Sequence, residues 1–527
     1  MIPRAARRVL GLSRPRTFDV KIFQSTRWSS SSPRQWSTPL AKQIAEAIAT
    51  TGPISIAAYM RQCLTSPDGG YYTANREGRD QFGRKGDFVT SPEISQIFGE
   101  LFGLWLLTEW MMQGRKKQGV EIIEVGPGRG TLMDDILRTV SNFKSLASSI
   151  ENVYLVEASP SLRAAQKDLL CGDSALEEVS TGHRSTSKYA GMPITWCEDI
   201  RFVPNEPDKT PFIFAHEFFD ALPIHAFQSV PPSQTPTQTL STPTGQISLN
   251  RPKAEAQKPQ WRELLVSPKL PSSIITSSAS CTKSKDPRPD FQLSLAKASN
   301  PSSLLLPNQS QRYKDLLSTA DAVIEISPES HSYVAEFARR IGGSKHSGST
   351  ASSGVSPAPR KAEPSGAALI LDYGPAETIP SSTLRGIRSH QLVSPLADAG
   401  EVDLSADVDF MALVEAALGA SNNVEVHGPV EQGVFLEQMG IKERAEMLIR
   451  GLEKSSGQGT EVAGGSDQHP ANSAADLETK KKAIGAAVER LVSRLPGRGM
   501  GTLYKALAIV PERGGKRPVG FGGGLGV

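Results

Sequence analysis

The sequence has few cysteines, little net charge and no long apolar run. Its 527 residues include four cysteines without a CxxC pair, Cys63, Cys171, Cys197 and Cys281. Such scattered cysteines are typical of free thiols in a reducing compartment rather than of a disulfide framework or a zinc site, so no metal is predicted. The formal net charge of +3 gives no indication of a nucleic-acid partner. Because no apolar run reaches the ~20 residues that a spanning helix needs, we expect a soluble protein without a membrane span.

The N-terminal segment, residues 1–36, differs in composition from the rest of the chain. It contains seven arginines and a single acidic residue, Asp19, and four consecutive serines stand at positions 29–32. An arginine-rich, serine-rich and acid-poor start is typical of a mitochondrial presequence, and the alternative is a basic tail. We therefore predict a location in the mitochondrial matrix and exclude residues 1–36 from the fold.

The remainder predicts a helical region followed by an α/β domain. Residues 37–115 carry apolar residues at helical spacing, and within them residues 91–113 predict one strong, buried helix with Ser91 as its N-cap. From 116 to 510, strand-like runs alternate with helices, which predicts a mostly parallel, doubly wound sheet whose strands include residues 321–327. Stretches with too little apolar content to form a core are predicted to be disordered: insertions at 229–258, 267–311, 343–366 and 453–475, and a tail at 511–527. Between the first two insertions, "WRELLV" at 261–266 is predicted to pair with "HAFQ" at 225–228.

The stretch "EIIEVGPGRGTL", residues 121–132, places a glycine turn between a strand and a helix. This arrangement forms a ligand site at the carboxyl ends of the strands of a doubly wound sheet. Gly126, Gly128 and Gly130 have the spacing GxGxG, whereas the dinucleotide pattern is GxGxxG, and no GK[ST] follows as in a P-loop. Glu124 would repel a pyrophosphate but suits a cationic ligand. We therefore predict S-adenosylmethionine, which carries an ammonium and a sulfonium, and a turn without a ligand is the alternative.

Two further acids follow later strands. Glu157 ends the run "NVYLVEAS" and is predicted to bind the ribose hydroxyls of the cofactor. After "TWCED", Asp199 is the candidate for the adenine amine, with Glu198 as its competitor. The alternative for both positions is an exposed charge without a ligand.

Several of these motifs together resemble the MidA family. They are "FGRKGDFVTSPEISQIFGELFGLW", "IIEVGPGRGTLMDDILR", "YLVEASPSLRAAQ", "HEFFDALPIHAF", "LILDYG" and "GMGTLYKALAIV", and the resemblance runs from about residue 40 to 510. It implies a class I, Rossmann-like methyltransferase with extra N-terminal helices. It also implies a mitochondrial protein-arginine methyltransferase that symmetrically dimethylates a core hydrophilic-arm subunit of complex I and supports complex I assembly. By the same resemblance, the segment with Asp87, Ser91 and Glu93 folds over the cofactor cleft.

The segment "HEFFDALPIH" carries the candidate catalytic residues. Methyl transfer to an arginine requires a guanidinium that is aligned and can lose a proton. Glu217 and Asp220 could bind the guanidinium through paired hydrogen bonds, and the alternative is that both only orient the loop. Asp372 and Tyr373, at the end of another strand, could line the same cleft.

The sequence departs from residues that are usual in the family at three positions. His216 stands where the family usually has Asn, Asp407 where it has His, and Ile387 where it has an aromatic residue. These departures keep open a second hypothesis, an assembly chaperone that binds adenosylmethionine but transfers its methyl weakly. A third, a nicotinamide-dependent oxidoreductase, is disfavoured by the GxGxG spacing.

Overall fold

The computed structural model describes residues 34–73, 90–231, 239–242, 245–248, 258–269, 289–345, 361, 363–458, 470–495, 497 and 499–522. The chain divides between Trp36 and Ser37 into two units, and the helices and strands described lie in the second. Most of the predicted presequence and Asp87 lie outside the described residues.

The helices, in chain order, are α1 Pro39–Thr51, α2 Ile56–Thr65, α3 Ser91–Ile94, α4 Gln96–Met112, α5 Thr131–Val140, α6 Lys144–Ala147, α7 Pro160–Cys171, α8 Pro301–Leu305, α9 Gln311–Asp315, α10 Pro328–Gly342, α11 Phe410–Ala420, α12 Gln432–Gln438, α13 Ile441–Gln458 and α14 Pro470–Val492. The strands are β1 Ile54–Ser55, β2 Val120–Val125, β3 Ile150–Val156, β4 Glu177–Val179, β5 Gly182–Thr186, β6 Pro193–Cys197, β7 Thr210–His216, β8 His225–Val230, β9 Thr239–Thr242, β10 Gly245–Ser248, β11 Gln260–Pro268, β12 Phe291–Leu295, β13 Val323–Ile326, β14 Ala367–Tyr373, β15 Arg385–Arg388, β16 Gln391–Val393, β17 Asp403–Ser405, β18 Val424–Glu431 and β19 Tyr504–Pro511.

The main sheet has nine strands in the order β18-β19-β14-β7-β2-β3-β6-β5-β4. The five central strands, β14 to β6 in this order, are parallel, and the strands outside them pair antiparallel. β2 lies in the middle of the sheet and all six of its residues are buried, as its run of apolar residues predicts. The predicted α/β fold with a doubly wound, Rossmann-like sheet is confirmed.

Helices cover both faces of this sheet, so that two apolar cores form. On one face, α4, α5 and the helices α12–α14 pack around Trp105, Phe102 and Phe214. On the other face, α10 and α11 pack against the alternate side chains of the same strands, including Ile123, Ile213 and Ile370. Alternation along each parallel strand therefore fixes which side chains face each core.

A second, smaller sheet has the order β1-β11-β8-β13, with β12 also paired to β11. The predicted pairing of "WRELLV" with "HAFQ" is confirmed, since Glu263 lies opposite Phe227 in an antiparallel pair. The prediction for residues 321–327 is wrong in its sheet: β13 pairs antiparallel with β8 instead of joining the main sheet. A short apolar strand fits either sheet, and here it covers a separate core with Phe227, Trp261 and Tyr313.

Parts of the predicted disordered segments are ordered. Within 267–311, β12 pairs with β11 and Phe291 is buried against Tyr59. Within 229–258, β9 pairs with β10. α13 and α14 extend into 453–475, and in the tail Phe521 is buried against Phe435. A single aromatic side chain that is buried in a core can order the polar residues around it. The composition of a segment alone does not show whether such burial occurs.

The long N-terminal helix predicted from Ser91 is interrupted. Thr90 caps α3 in a capping box with Glu93, and Ser95 caps α4 through a hydrogen bond from Ile97 N. The N-cap is therefore Thr90 rather than Ser91. Within the described ranges, no helix is long and apolar enough to cross a membrane.

Candidate active site

A cavity of about 300 Å³ opens at the carboxyl ends of the central parallel strands. The turns after β2, β3, β6 and β7 supply most of its wall, and residues of α2, of the segment that follows it and of α3 lie across it. Its lining includes Glu124, Gly126, Gly128, Glu157, Glu198, His216, Glu217 and Glu93. This is the place where doubly wound sheets bind their ligands.

The glycine turn adopts backbone conformations that favour glycine. Gly126, Gly128 and Gly130 have φ values of 65°, 53° and 84°. A Cβ at Gly126 would stand 2.6 Å from Cδ2 of Phe218, which leaves no room for a larger residue. Gly126 and Gly128 line the cavity, whereas Gly130 is the N-cap of α5 and is not among the described lining residues. Gly130 therefore shapes the turn rather than touching the cavity.

Two acids from neighbouring strands, Glu124 and Glu157, line the cavity. Glu124 is 2% exposed, and its Oε2 has no hydrogen-bond partner among the described residues. Burial raises the pKa of Glu124 to about 8, and the nearby Glu157 raises it further. A buried, unpaired carboxyl is costly unless a ligand supplies the missing positive charge. The site therefore fits a cofactor with an ammonium and a sulfonium, such as S-adenosylmethionine.

Glu157 is held by two donors. Its Oε1 accepts a hydrogen bond from the Ser159 amide at 2.7 Å, and its Oε2 accepts one from Nε2 of Gln166 at 3.2 Å. Burial raises the pKa of Glu157 to about 7, and these hydrogen bonds oppose that rise. The carboxyl is thus fixed in place beside the cavity, and its predicted contact with the ribose stays a prediction.

The structure separates the two candidates for the third acid. Glu198 lines the cavity, and Asp199 is not among the described lining residues. Asp199 instead accepts from Nε and Nη2 of Arg201 at 2.8 and 2.9 Å and from the Arg201 amide. The ion pair with Arg201 is the main reason why the pKa of Asp199 is lowered. Asp199 is therefore engaged elsewhere, and Glu198 takes its place as the candidate.

Glu217 follows β7 directly and projects into the cavity. Its φ of 50° is in the left-handed region, which is uncommon for a residue with a side chain. The side chain is 11% exposed, and its Oε1 accepts a hydrogen bond from the Tyr504 hydroxyl at 2.6 Å. Burial raises the pKa of Glu217 to about 8, and the Tyr504 hydrogen bond opposes that rise. Such a perturbed carboxyl in a cleft is a candidate for proton transfer.

Asp220 and Asp372 lie behind the cavity wall. Asp220 is not among the described lining residues; it accepts from Ser405 Oγ at 2.9 Å, and burial raises its pKa. Asp372 is fully buried and accepts from the amides of Phe218 and Phe219 at 3.0 and 2.7 Å. The structure thus does not bring the predicted Asp220 into contact with the cavity. Asp372 holds the backbone that presents Glu217.

His216 is a neutral group beside Glu217. Burial lowers the pKa of His216 to about 3. Its Nε2 lies 3.6 Å from Oε1 of Glu217 and has no hydrogen-bond partner among the residues described. The residue also lines the cavity.

Two buried residues were not singled out from the sequence. Tyr504 comes from β19, nearly 300 positions after the glutamate it contacts, and Gln166 lies on α7. Both stand inside stretches that carry the family resemblance, "GMGTLYKALAIV" and "YLVEASPSLRAAQ". That resemblance was the available signal, because neither residue type is a typical ligand on its own.

Comparisons with known proteins agree on one family. A family model described as an S-adenosyl-L-methionine-dependent methyltransferase, Methyltransf_28, matches residues 101–430. The chain is 35% identical over 445 residues to "Protein arginine methyltransferase NDUFAF7, mitochondrial" of Xenopus laevis, covering 83% of this chain and 82% of the relative. It is 34% identical over 418 residues to the human protein of the same name, covering 78% of this chain and 76% of that protein.

A solved structure is similar in fold. The crystal structure of a COG1565 superfamily member from Burkholderia thailandensis, bound to S-adenosyl-homocysteine, superposes on this chain with a TM-score of 0.56 at 19% sequence identity. The match covers 90% of this chain and 92% of that one. At this identity it shows a shared fold.

Proposed function

The chain belongs to this family of S-adenosyl-L-methionine-dependent methyltransferases, and from that premise we propose that it methylates arginine in a protein substrate. The predicted cofactor, S-adenosyl-L-methionine, is the one that the family uses. The predicted mitochondrial location is confirmed by the names of the relatives. Their names also support arginine as the methyl acceptor.

The observation that carries the proposal is the carboxyl of Glu217 inside the cofactor cavity. A guanidinium is a planar cation with five N–H donors, and a carboxylate can accept two of them at once. Glu93 of α3 lines the same cavity and adds a second acid, whose Oε1 lies 3.8 Å from Nη1 of Arg129. An acidic, half-enclosed cavity of this kind attracts and orients a cationic side chain.

Different residues would bind the cofactor and the methyl acceptor. Glu124, the glycine turn, Glu157 and Glu198 would hold the cofactor, which supplies an electrophilic methyl when it is bound. Glu217 would bind the guanidinium, align one nitrogen and accept the proton that this nitrogen loses. Tyr504 fixes the carboxyl of Glu217 by its hydrogen bond.

The pH dependence of the reaction follows from the raised pKa of Glu217. As a proton acceptor Glu217 must be ionised, so kcat/KM is expected to rise as the pH increases through about 8, the pKa of this carboxyl in the free enzyme. Tyr504→Phe removes a donor that stabilises the ionised form and is expected to move the midpoint to higher pH. The measurement is kcat/KM for a substrate protein between pH 6 and 10.

A matched control is Tyr313→Phe. Tyr313 is also a buried tyrosine that donates to a carboxylate, Asp409, at 2.9 Å, but it lies in the core of the smaller sheet. This variant should leave the midpoint where it is. A midpoint that does not move in Tyr504→Phe would contradict the assignment of Glu217 as the proton acceptor.

We propose further that the substrate is a core hydrophilic-arm subunit of complex I and that the product is symmetric dimethylarginine, as the MidA resemblance implies. The test is incubation of the recombinant protein with the cofactor and the isolated subunits, followed by mass spectrometry. Fragment ions that distinguish symmetric from asymmetric dimethylarginine decide the product type. Methylation of other proteins but not of these subunits would contradict the substrate assignment.

The same experiment separates the enzyme from the alternative, a weakly catalytic assembly chaperone. His216 and Asp407 are the departures that motivate this alternative, and Asp407 forms an ion pair with Arg385, whose charge acts on Asp220. Cofactor binding by calorimetry together with no methyl transfer to any complex I subunit would favour the chaperone.

Import into mitochondria is expected to depend on the N-terminal arginines. Deleting residues 1–36 removes seven arginines but none of the described helices or strands. The truncated protein should remain in the cytosol and still methylate its substrate in vitro. Cell fractionation checks the location, and a truncated protein that still reaches the matrix would contradict the presequence.

A further inference from the structure

A single buried amide joins the parts of the cofactor site. Gln166, on the inner face of α7, is fully buried. Its Nε2 donates to the carbonyl oxygen of Gly128 at 2.6 Å and to Oε2 of Glu157 at 3.2 Å. Its Oε1 accepts from Nε1 of Trp196 at 2.9 Å.

These partners belong to three different strand ends. Gly128 is in the turn after β2, Glu157 follows β3, and Trp196 is near the end of β6. The hydrogen bond from Trp196 fixes which way the amide points, because the indole N–H can only donate. The NH₂ group must therefore face Gly128 and Glu157. Both donors of the amide and its carbonyl oxygen are thus used, as expected for a fully buried polar side chain.

We propose that Gln166 is a positioning residue for cofactor recognition, which sets the orientation of the Glu157 carboxyl relative to the glycine turn. The proposal rests on the proposed role of Glu157 in binding the ribose. With Gln166 in place, the carboxyl that accepts the ribose hydroxyls and the turn that meets the rest of the cofactor have one fixed separation. Without it, Oε2 of Glu157 loses its only side-chain donor among the described residues, and the carbonyl of Gly128 loses a short hydrogen bond.

The position of Gly130 supports the same conclusion. A Cβ at Gly130 would lie 3.3 Å from Cγ of Gln166, so α7 packs tightly against the turn at this point. Gln166 and the turn are therefore in close contact at Gly130 as well as through the hydrogen bond to Gly128. Neither Glu217 nor Tyr504 is among its hydrogen-bond partners, so its effect should be on the cofactor and not on the methyl acceptor.

The test is Gln166→Met, which keeps the length and burial of the side chain but removes all three hydrogen bonds. Affinity for S-adenosyl-homocysteine, measured by calorimetry, is expected to fall roughly tenfold, since a hydrogen bond to a charged acceptor is lost. Affinity for the 2′-deoxyribose analogue of the same probe should fall clearly less, because one ribose hydroxyl that Glu157 would bind is already absent. In steady-state assays the KM for the cofactor should rise while kcat at saturation stays unchanged.

Two control variants and one structural measurement make the outcomes distinct. Asp168→Asn, an exposed position on the same helix, should not change binding, and Glu157→Gln should show the same dependence on the ribose hydroxyl as Gln166→Met. Equal losses for both probes, together with a lowered melting temperature, would overturn the proposal by showing only a structural role, and so would an unchanged affinity. If wild-type protein does not bind S-adenosyl-homocysteine, the cofactor site itself is misassigned, which is a separate result.

Discussion

Gly128→Val is expected to abolish measurable binding of S-adenosyl-L-methionine while the protein remains folded. Gly128 lines the cavity with a φ of 53°, in the left-handed region. A residue with a Cβ costs about 1–2 kcal/mol in this conformation, and a β-branched residue costs more. Its side chain would also occupy space that the backbone of the turn leaves to the cofactor. We expect a loss of affinity of roughly a hundredfold or more.

The measurement is calorimetric titration with the cofactor, together with circular dichroism to verify the fold. Gly191→Val is the matched control, since Gly191 has a φ of 65°, a Cβ there would meet nothing within 4 Å, and the residue is outside the cavity lining. Gly191→Val should lower the stability of the fold through its backbone conformation but should leave cofactor binding unchanged. Wild-type affinity in a folded Gly128→Val protein would show that the glycine turn does not contact the cofactor.

Glu217→Gln is expected to lower the rate of methyl transfer roughly ten- to hundredfold at unchanged cofactor affinity. The amide keeps the size of the side chain and can still accept from Tyr504, but it loses the charge that pairs with a guanidinium and cannot accept its proton. A charge-assisted hydrogen bond contributes about 1.5–3 kcal/mol, which corresponds to this range of rates. Single-turnover methylation of a substrate protein isolates the chemical step from product release.

Asp220→Asn is the comparison that the structure makes informative. Asp220 carries the same type of side chain within the same segment, yet it contacts Ser405 behind the cavity wall. We expect Asp220→Asn to lower the melting temperature and to leave the single-turnover rate nearly unchanged. Near-normal rates in both variants would exclude Glu217 and Asp220 from the mechanism. A loss of stability and of cofactor affinity in Glu217→Gln would show that Glu217 has a structural role.

The central sheet could be predicted because its signals are local. A buried apolar run such as residues 120–125, followed by glycines and then by a helix beginning at Thr131, specifies a strand, a turn and a crossover without knowledge of the rest of the chain. The acids Glu124 and Glu157 were predicted for the same reason. Each ends a strand, and parallel strands bring their carboxyl ends to one edge of the sheet.

What could not be predicted depends on partners far away in the sequence. Glu198 and Asp199 are adjacent acids, and which of them faces the cavity depends on the turn after β6, where Asp199 caps the next residues and pairs with Arg201. Phe291 is ordered because β12 pairs with β11 and because its ring packs against Tyr59. For β13, the length and apolar character of the strand fit either sheet equally. In each case a tertiary contact determines the structure, and a local sequence pattern does not show that contact.

The antiparallel insertion of β19 between β14 and β18 has a consequence for the timing of activity. Tyr504, which holds Glu217, is the first residue of this strand, and the two are joined across 287 positions. A chain that emerges from the ribosome N-terminus first can build the glycine turn and the cofactor acids early, but the Tyr504–Glu217 contact can form only after almost the entire polypeptide has appeared. Until then β14 has one open edge and the left-handed backbone at Glu217 lacks its partner. If Glu217 accepts the proton as proposed, the contact that supports methyl transfer is therefore the last part of the site to form.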